Sequence, residues 1–215
     1  MLEYYDSFPE WCDLLAPRVI KALESRQFDA YYCRTASEAK EQALQLIPKG
    51  SSISWGGSLS IREIGLTEAV KEHGCEIVDR DLAANPSERF ELMRKAFLCD
   101  TYLTSVNAMS ESGEFVNVDG MGNRVAAIAF GPKSVIAVVG MNKICKTVSD
   151  AYTRAKCYAS PLNAIRIHLN TPCTQNGSCF DCKVVDSCCA YIVTTRFCRI
   201  PKRIKVILVG ERLGL

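Results

Sequence analysis

The chain has 215 residues, enough for one large domain or for one domain with a small appendage. Its composition is that of a globular protein, with 48% hydrophobic and 23% charged residues. A formal net charge of only +2 and the lack of a long basic run argue against binding to nucleic acid or to a membrane surface.

The beginning of the chain, MLEYYDSFPEWCDLL, carries acidic residues and lacks an apolar stretch flanked by basic ones, so we do not expect a signal peptide. No stretch approaches the roughly 18 uninterrupted apolar residues of a membrane helix. We therefore expect a cytoplasmic protein, whose twelve cysteines stay reduced instead of forming disulfides. Six of them stand singly among apolar neighbours and are predicted to be buried: Cys12, Cys33, Cys75, Cys99, Cys145 and Cys157.

Patterns typical of helices and strands alternate along the first hundred residues. The first helix, predicted over 11–28, has apolar residues spaced by three and four. With the aromatic residues Phe8 and Trp11, it either covers the core or pairs with a second chain in a homodimer. The next predicted elements are a strand over 28–34, a helix over 36–48, a strand over 51–57, a helix over 58–74, a strand over 75–81 and a helix over 87–99.

The same alternation continues to the end of the chain. The predicted elements are strands over 101–110, 114–120 and 134–140, a helix over 142–161 and a final buried strand within 203–215. This order predicts an α/β fold, an open, mostly parallel sheet with helices on both faces. We expect an α/β domain over 1–171, followed by a segment over 172–215 that holds a cysteine-rich metal-binding loop and the final strand of the same domain.

Three loops follow predicted strands, at the sheet edge where open α/β folds bind ligands. The first is a two-glycine turn, which either brings backbone close to a ligand or is plain turn geometry. The second, 107–124, is either a binding surface for a small polar molecule or a solvated hairpin. In the third, Lys143 is placed to meet a carboxylate or a phosphate. The candidate substrate-binding residues are Gly56, Gly57, Ser58, Asn107, Asn117, Asp119, Asn123, Arg124, Asn142 and Lys143.

Clustered cysteines near the C-terminus are the candidate metal ligands. The spacing C-x5-C-x2-C-x6-C joins Cys173, Cys179, Cys182 and Cys189, with Cys188 as an adjacent spare. Four thiolates in a reducing compartment can hold a zinc ion or an iron–sulfur cluster. Zinc ribbons usually present two C-x2-C pairs, and only one is present, so the spacing favours a [4Fe–4S] cluster. Zinc, and cysteines without any metal, remain the alternatives.

Three blocks of the chain resemble the LUD domain family, a lactate-utilization family that includes the C subunit of bacterial lactate-oxidation systems. They are WGGS at 55–58, the long block at 107–144 and ASPLN at 159–163. The resemblance spans about 10–165 and continues into the cysteine tail, as in a single-domain branch of the family. It implies a fold similar to that of ribose-phosphate isomerases, glucosamine-phosphate deaminases and coenzyme A transferases. It also implies that Cys189, and not Cys188, is the fourth ligand.

The cysteine spacing and the resemblance together predict an iron–sulfur protein that acts on, or in the oxidation of, a small organic acid such as lactate. Glu111 resembles the catalytic glutamate that coenzyme A transferases use as a nucleophile on this fold, or it is a plain turn glutamate. The chain lacks the ferredoxin-like C-x2-C-x2-C-x3-C-P run, so electron transfer does not carry over by analogy. The alternatives are a non-catalytic [4Fe–4S] electron carrier or redox-responsive partner of other redox proteins, and a zinc-stapled binding domain.

Overall fold

The computed structural model describes residues 6–215, so residues 1–5 of the segment in which no signal peptide is expected lie outside it. None of the helices in the described part is long and apolar enough to cross a lipid bilayer. The strands are β1 (Asp29–Cys33), β2 (Ser52–Trp55), β3 (Glu76–Val78), β4 (Thr101–Thr104), β5 (Ala108–Ser110), β6 (Phe115–Asp119), β7 (Ser134–Gly140), β8 (Ile144–Cys145), β9 (Tyr191–Thr195) and β10 (Ile204–Val209). The α-helices are α1 (Phe8–Ser25), α2 (Ala36–Gln45), α3 (Leu59–Glu63), α4 (Leu66–Glu72), α5 (Pro86–Lys95), α6 (Asn123–Ala129), α7 (Val148–Arg154), α8 (Ser160–Arg166) and α9 (Pro172–Asn176).

Six parallel strands form the larger sheet, in the order β1-β10-β7-β4-β2-β3. The apolar run of β7 is buried after its first residue, as expected for a parallel strand that is covered on both faces. β10 lies between β1 and β7, so the end of the chain completes the centre of this sheet. The predicted fold class, an open, mostly parallel α/β sheet, is confirmed.

Helices cover both faces of this sheet. On one face α2, α3 and α4 bury Ala39, Ile61 and Val70 against strand residues such as Ile136. On the other face α1 and α6 pack against the strands, and Leu23 of α1 is fully buried there. The single helix predicted over 58–74 is wrong, because Gly65 adopts a left-handed φ of +70° and separates α3 from α4.

A second sheet of four strands, in the order β8-β5-β6-β9, was not expected. The single strand predicted over 101–110 is divided: β4 ends at Thr104 in the larger sheet, and β5 begins at Ala108 in the smaller one. β5 and β6 form an antiparallel hairpin. One face of this hairpin adds Phe115 to the core beside α1, and the other face packs Val116 against α7.

The helix predicted over 142–161 begins later than expected. α7 starts after Thr147, whose side chain accepts a hydrogen bond from the backbone N–H of Asp150 in a reciprocal capping box. The helix then continues through one π-helical turn, Ala155–Ala159, into α8. The hydroxyl of Ser160 donates to the carbonyl of Ala155 at 2.8 Å across this turn. Such turns often occur near functional sites, and α8 forms part of the site described below.

Three of the six cysteines that were predicted to be buried lie in the core, and the other three do not. Cys12, Cys33 and Cys99 lie in the core as predicted, and burial raises the pKa of Cys99 to about 11. Cys75 and Cys145 are half-buried. The prediction that Cys157 is buried is wrong, because the π-helical turn directs this residue to the surface.

Candidate functional site

A cleft of about 580 Å³ opens at the edge of the larger sheet where the parallel strands end. The segments that follow β2, β3, β4 and β7 meet there because parallel strands place their carboxyl ends at one edge. The end of β6, helix α8 and the cysteine-rich segment complete the wall. Of the ten residues predicted to bind substrate, eight line this cleft: Gly56, Gly57, Ser58, Asn107, Asp119, Asn123, Arg124 and Lys143.

Positive charge dominates the lining of the cleft. Five cationic side chains face two acidic ones, Asp119 and Asp186. Three of the cationic residues, Arg80, Arg89 and Arg166, were missed by the sequence analysis. Arg80 lies near the end of the strand predicted over 75–81, so the rule that ligands bind at strand ends could have found it. The excess of cations makes the cleft suited to an anionic ligand.

The two-glycine turn holds backbone close to large side chains. A Cβ atom on Gly56 would lie 2.8 Å from the Tyr102 hydroxyl, and one on Gly57 would lie 3.3 Å from Nη2 of Arg80. Within the described part of the chain, the buried hydroxyl of Ser58 and Nε of Arg80 have no hydrogen-bond partner. Buried polar groups are normally paired, so these two atoms mark a position where a ligand would supply the missing partners.

Lys143 lies deeper in the cleft, on the 3-10 turn that follows β7. Its side chain is 3% exposed, and Nζ donates to the hydroxyl oxygens of Ser60 at 2.9 Å and Ser105 at 3.1 Å. Burial, followed by the positive charges of Arg154 and Arg124, lowers the pKa of Lys143 to about 7. No carboxylate of residues 6–215 forms an ion pair with it.

Asp119 and Arg124 build the frame of the cleft. The carboxylate of Asp119 accepts hydrogen bonds from four backbone N–H groups at the start of α6, those of Met121, Gly122, Arg124 and Val125. Nη2 of Arg124 donates to Asn107 Oδ1 at 2.9 Å and to the Val118 carbonyl at 2.5 Å. Nε of Arg124 lies 3.7 Å from the same carboxylate, so Asp119 holds both the loop and Arg124 in place.

The predicted nucleophile Glu111 lies elsewhere. It sits at the turn of the β5–β6 hairpin, whereas the opposite end of that hairpin reaches the cleft. Its carboxylate pairs with Arg18 and with Nζ of Lys146, the latter at 2.9 Å. At about 3.3 Å per strand residue, the turn is about 10 Å from the cleft end of the hairpin. The geometry thus gives Glu111 no access to a ligand in the cleft.

Two further predicted residues also lie outside the cleft. The side chain of Asn117 is buried in β6, and its amide oxygen and nitrogen have no partner in the described part of the chain. Asn142 accepts a hydrogen bond from the backbone N–H of Leu213 at 3.1 Å. Asn142 therefore fixes the segment after β10, and that segment places Leu215 against the cleft.

The cysteine-rich segment reaches the cleft through the spare cysteine. Cys188 lines the cleft, and a Cβ atom on Gly120 would lie 3.2 Å from the Cα of Cys188. The thiol of Cys188 is 4.0 Å from that of Cys189. Cys189 packs against the small hydrophobic cluster between α7 and the smaller sheet. The exposed Cys157 lies beside Cys179, and burial and then the Cys179 thiol raise the pKa of Cys157. The cysteine-rich segment therefore places thiols beside α7, beside α8 and at the cleft.

The clustered thiols have the chemistry of metal ligands, but they are not arranged around one metal position. A hydrogen bond between the thiols of Cys188 and Cys189 lowers the pKa of Cys189, which favours the thiolate form that ligates metals. Among residues 6–215, however, no three His, Cys, Asp or Glu side chains converge on one metal position. Cys173, Cys179 and Cys182 are half-buried, and none of the three lines the cleft.

Comparisons with known proteins agree with this architecture. The family model of the LUD domain matches residues 16–209. No curated protein matches the chain. The crystal structure of a DUF162 family protein from Deinococcus radiodurans superposes with a TM-score of 0.52 at 14% identity, covering 92% of this chain and 98% of that one. The eIF2B delta structure from Chaetomium thermophilum has a TM-score of only 0.35 at 17% identity, covering 68% of this chain and 59% of that one.

The Deinococcus structure, at its low identity, shows the fold alone, and the family assignment comes from the family model. The matched residues 16–209 include all ten strands, nearly all of the cleft and all five clustered cysteines. The chain therefore belongs to the LUD domain family.

Proposed function

We propose that the cleft binds a small organic acid such as lactate, and that the protein takes part in the oxidation of that acid. The LUD family is associated with lactate utilization, which makes this class of ligand the first to consider. The observation that carries the proposal is the charge of the cleft, where four arginines face two carboxylates even when Lys143 is uncharged. One of those carboxylates, Asp119, is already occupied by backbone N–H groups.

The arrangement of polar atoms supports binding of a carboxylate near the glycine turn. Ser58 and Arg80 each have a buried polar atom without a hydrogen-bond partner in the described part of the chain, and the glycines let the Tyr102 hydroxyl and the Arg80 guanidinium pack against the turn. An arginine can bind a carboxylate through two parallel hydrogen bonds, which fixes the orientation of the acid. Lys143 and Arg124 would then lie near the rest of the molecule.

Calorimetric titration tests this proposal with lactate and its uncharged analogue lactamide. We expect lactate to bind at least about 10-fold more tightly, because a hydrogen bond to a charged group is worth about 1.5–3 kcal/mol and about 1.4 kcal/mol is a factor of ten. The amide keeps the size and the hydroxyl group of lactate, so it is the matched control ligand. Equal affinities for acid and amide, or no binding of lactate, pyruvate and glycolate, would contradict the proposal.

The second part of the proposal is a [4Fe–4S] cluster on Cys173, Cys179, Cys182 and Cys189. Supporting it are the thiolate character of Cys189 and the position of Cys188 at the cleft, which would put a bound cluster beside the acid. When bound, such a cluster supplies electron transfer or, with an open iron, a Lewis acid. The thiols would have to draw together on loading, since three of them do not converge in the described residues.

Anaerobic purification with iron, sulfide and zinc analysis tests this second part. We expect about four irons and four sulfides per chain, together with absorbance near 400 nm. The variant Cys182→Ser should lose most of the iron, whereas Cys75→Ser, a half-buried cysteine outside the cluster, should keep it. About one zinc per chain with no sulfide would instead indicate a structural zinc clasp.

A non-catalytic electron carrier or redox-responsive protein is the second candidate function. The observation that favours it is the surface around the cysteines, where Phe180 is 57% exposed and Val185 is fully exposed. Apolar side chains beside a redox group give a partner protein a place to dock. A visible spectrum that shifts when lactate is added would favour substrate binding at the cluster. Reversible reduction with no effect of lactate would favour the carrier.

A further inference from the structure

Lys143 is a buried lysine without a carboxylate partner. Its side chain is 3% exposed, and Nζ contacts the hydroxyls of Ser60 and Ser105. The guanidinium groups of Arg124 and Arg154 lie near enough to repel a positive charge on it, and the opposing attraction of Glu63 is weaker. Buried charges in proteins are normally paired, so this environment favours the uncharged amine.

The hydrogen bonds of Lys143 leave its lone pair available. An uncharged amine has two N–H groups and one lone pair. The two hydrogen bonds of Nζ, at 2.9 Å to Ser60 and 3.1 Å to Ser105, use both N–H groups. Nothing in the described part of the chain takes a third hydrogen bond from Nζ, and Lys143 lines the cleft. The lone pair is therefore the part of the amine that these two hydrogen bonds leave unused.

We propose that Lys143 is a catalytic nucleophile that forms an imine with the carbonyl carbon of a 2-oxo acid in the cleft. This inference rests on the proposed function, because it requires the cleft to bind a small organic acid, and it names the class of that acid. Lysines made uncharged by burial or by neighbouring cations are the ones that form such imines in proteins.

The chemistry of this step balances within the site. The lone pair of Nζ adds to the carbonyl carbon, and the carbonyl oxygen takes up a proton to give a carbinolamine. Loss of water then breaks the remaining C–O bond and forms the C=N bond. The hydroxyls of Ser60 and Ser105 touch Nζ and can pass the protons between nitrogen and oxygen. No oxidant or reductant is needed, since the amine and the oxo acid give only the imine and water.

A 2-oxo acid fits this site better than a simple ketone does. Its carboxylate is adjacent to the carbonyl, so the cations that hold the carboxylate also hold the carbonyl carbon close to the amine. Arg124 lines the same cleft as Lys143; its Nη2 is bound to Asn107 and the Val118 carbonyl and its Nε lies 3.7 Å from the Asp119 carboxylate, while its Nη1 makes no hydrogen bond within the described residues. The opposite case is Lys146, which is 69% exposed and paired with Glu111 at 2.9 Å. Lys146 is exposed to water and bound to a carboxylate, so it makes a matched control within the same protein.

Reductive trapping tests the proposal on the full chain. The protein is incubated with pyruvate and cyanoborohydride, and the mass of the intact chain and of its peptides is measured. We expect one carboxyethyl group per chain, located on Lys143 and formed with saturating dependence on pyruvate, at least about ten-fold faster than on Lys146. The variant Lys143→Arg keeps a cation but cannot form the imine, and circular dichroism checks that it is folded. Acetone, which has no carboxylate, should label Lys143 far more slowly.

The outcomes separate this inference from the function on which it rests. Pyruvate that binds in calorimetry but leaves Lys143 unlabelled would overturn the nucleophile and leave the anion-binding cleft standing. Label spread equally over Lys146 and other surface lysines would also overturn it, because that result indicates unselective modification. If neither pyruvate nor lactate binds at all, the proposed function itself fails.

Discussion

Replacing Arg80 with methionine is expected to weaken the binding of lactate by about 10- to 100-fold. The guanidinium of Arg80 lies against the glycine turn, and its buried Nε has no hydrogen-bond partner in the described residues. Removing a hydrogen bond to a charged group costs about 1.5–3 kcal/mol, which corresponds to that range of affinity. Methionine keeps the apolar stem of Arg80 and loses the contact of Nη1 with Met93 Sδ at 3.5 Å. Calorimetric titration with lactate measures the change.

Arg62 provides the matched control for Arg80. Both arginines interact with Asp81, and Nη2 of Arg62 lies 2.5 Å from its carboxylate, but Arg62 does not line the cleft. We expect Arg62→Met to leave the affinity for lactate within about two-fold, since its ion pair is half-exposed. Similar losses of lactate affinity in both variants would show that the loss arises from a shift of Asp81 and not from a missing contact between Arg80 and lactate. Arg80→Lys should fall between, because lysine keeps the charge but not the paired donors.

The prediction of the larger sheet rested on continuous runs of apolar residues in the sequence. The stretch around Val138 is apolar through several residues, and such runs occur in parallel strands covered on both faces. The position of the cleft followed from the same pattern, because the loops after parallel strands share one edge. Eight of the ten predicted binding residues line the cleft for this reason.

The smaller sheet lacked such a local signal. β9 follows the cysteine-rich segment and was not predicted, although its sequence YIVTT consists of residues that favour strands. Its pairing with β6 joins residues such as Tyr191 and Asp119, far apart in sequence. Arg166 was missed for a similar reason: it is an ordinary helical arginine until the π-helical turn and the chain path bring α8 to the cleft.

Glu111 shows the limit of a short motif. A glutamate followed by Ser-Gly resembles a nucleophilic element, but the same letters also suit a hairpin turn. In the structure Glu111 lies in a hairpin turn. Gly113 of this turn has a left-handed φ of +91°, and Arg18 and Lys146 form ion pairs with the Glu111 carboxylate. Lys143 is the reverse case. Nothing in its neighbouring sequence reports burial between Ser60 and Ser105, which the fold brings from distant segments.

The burial of Lys143 predicts a pH-dependent gain in stability on its replacement by methionine. In the folded protein its pKa is about 7, below the roughly 10.4 of an unfolded lysine, so the unfolded state binds more protons between these values. The wild-type protein is therefore penalised most near and below pH 7, and the penalty falls as the pH rises. We expect Lys143→Met to be more stable at pH 7, with an advantage that shrinks by about 2 kcal/mol between pH 7 and pH 9.

Urea unfolding of both proteins at several pH values measures this difference. The charged groups that act on Lys143 are Arg124, Arg154 and Glu63, and the thiol of Cys145, whose pKa burial raises, titrates in the same alkaline range. All four are present in both proteins, so their contributions cancel in the difference. A difference in unfolding free energy that stays constant with pH would mean that Lys143 keeps its proton when folded. A charged Lys143 would also be unable to add to a carbonyl, so the unfolding experiment tests the physical basis of the nucleophile independently of any ligand.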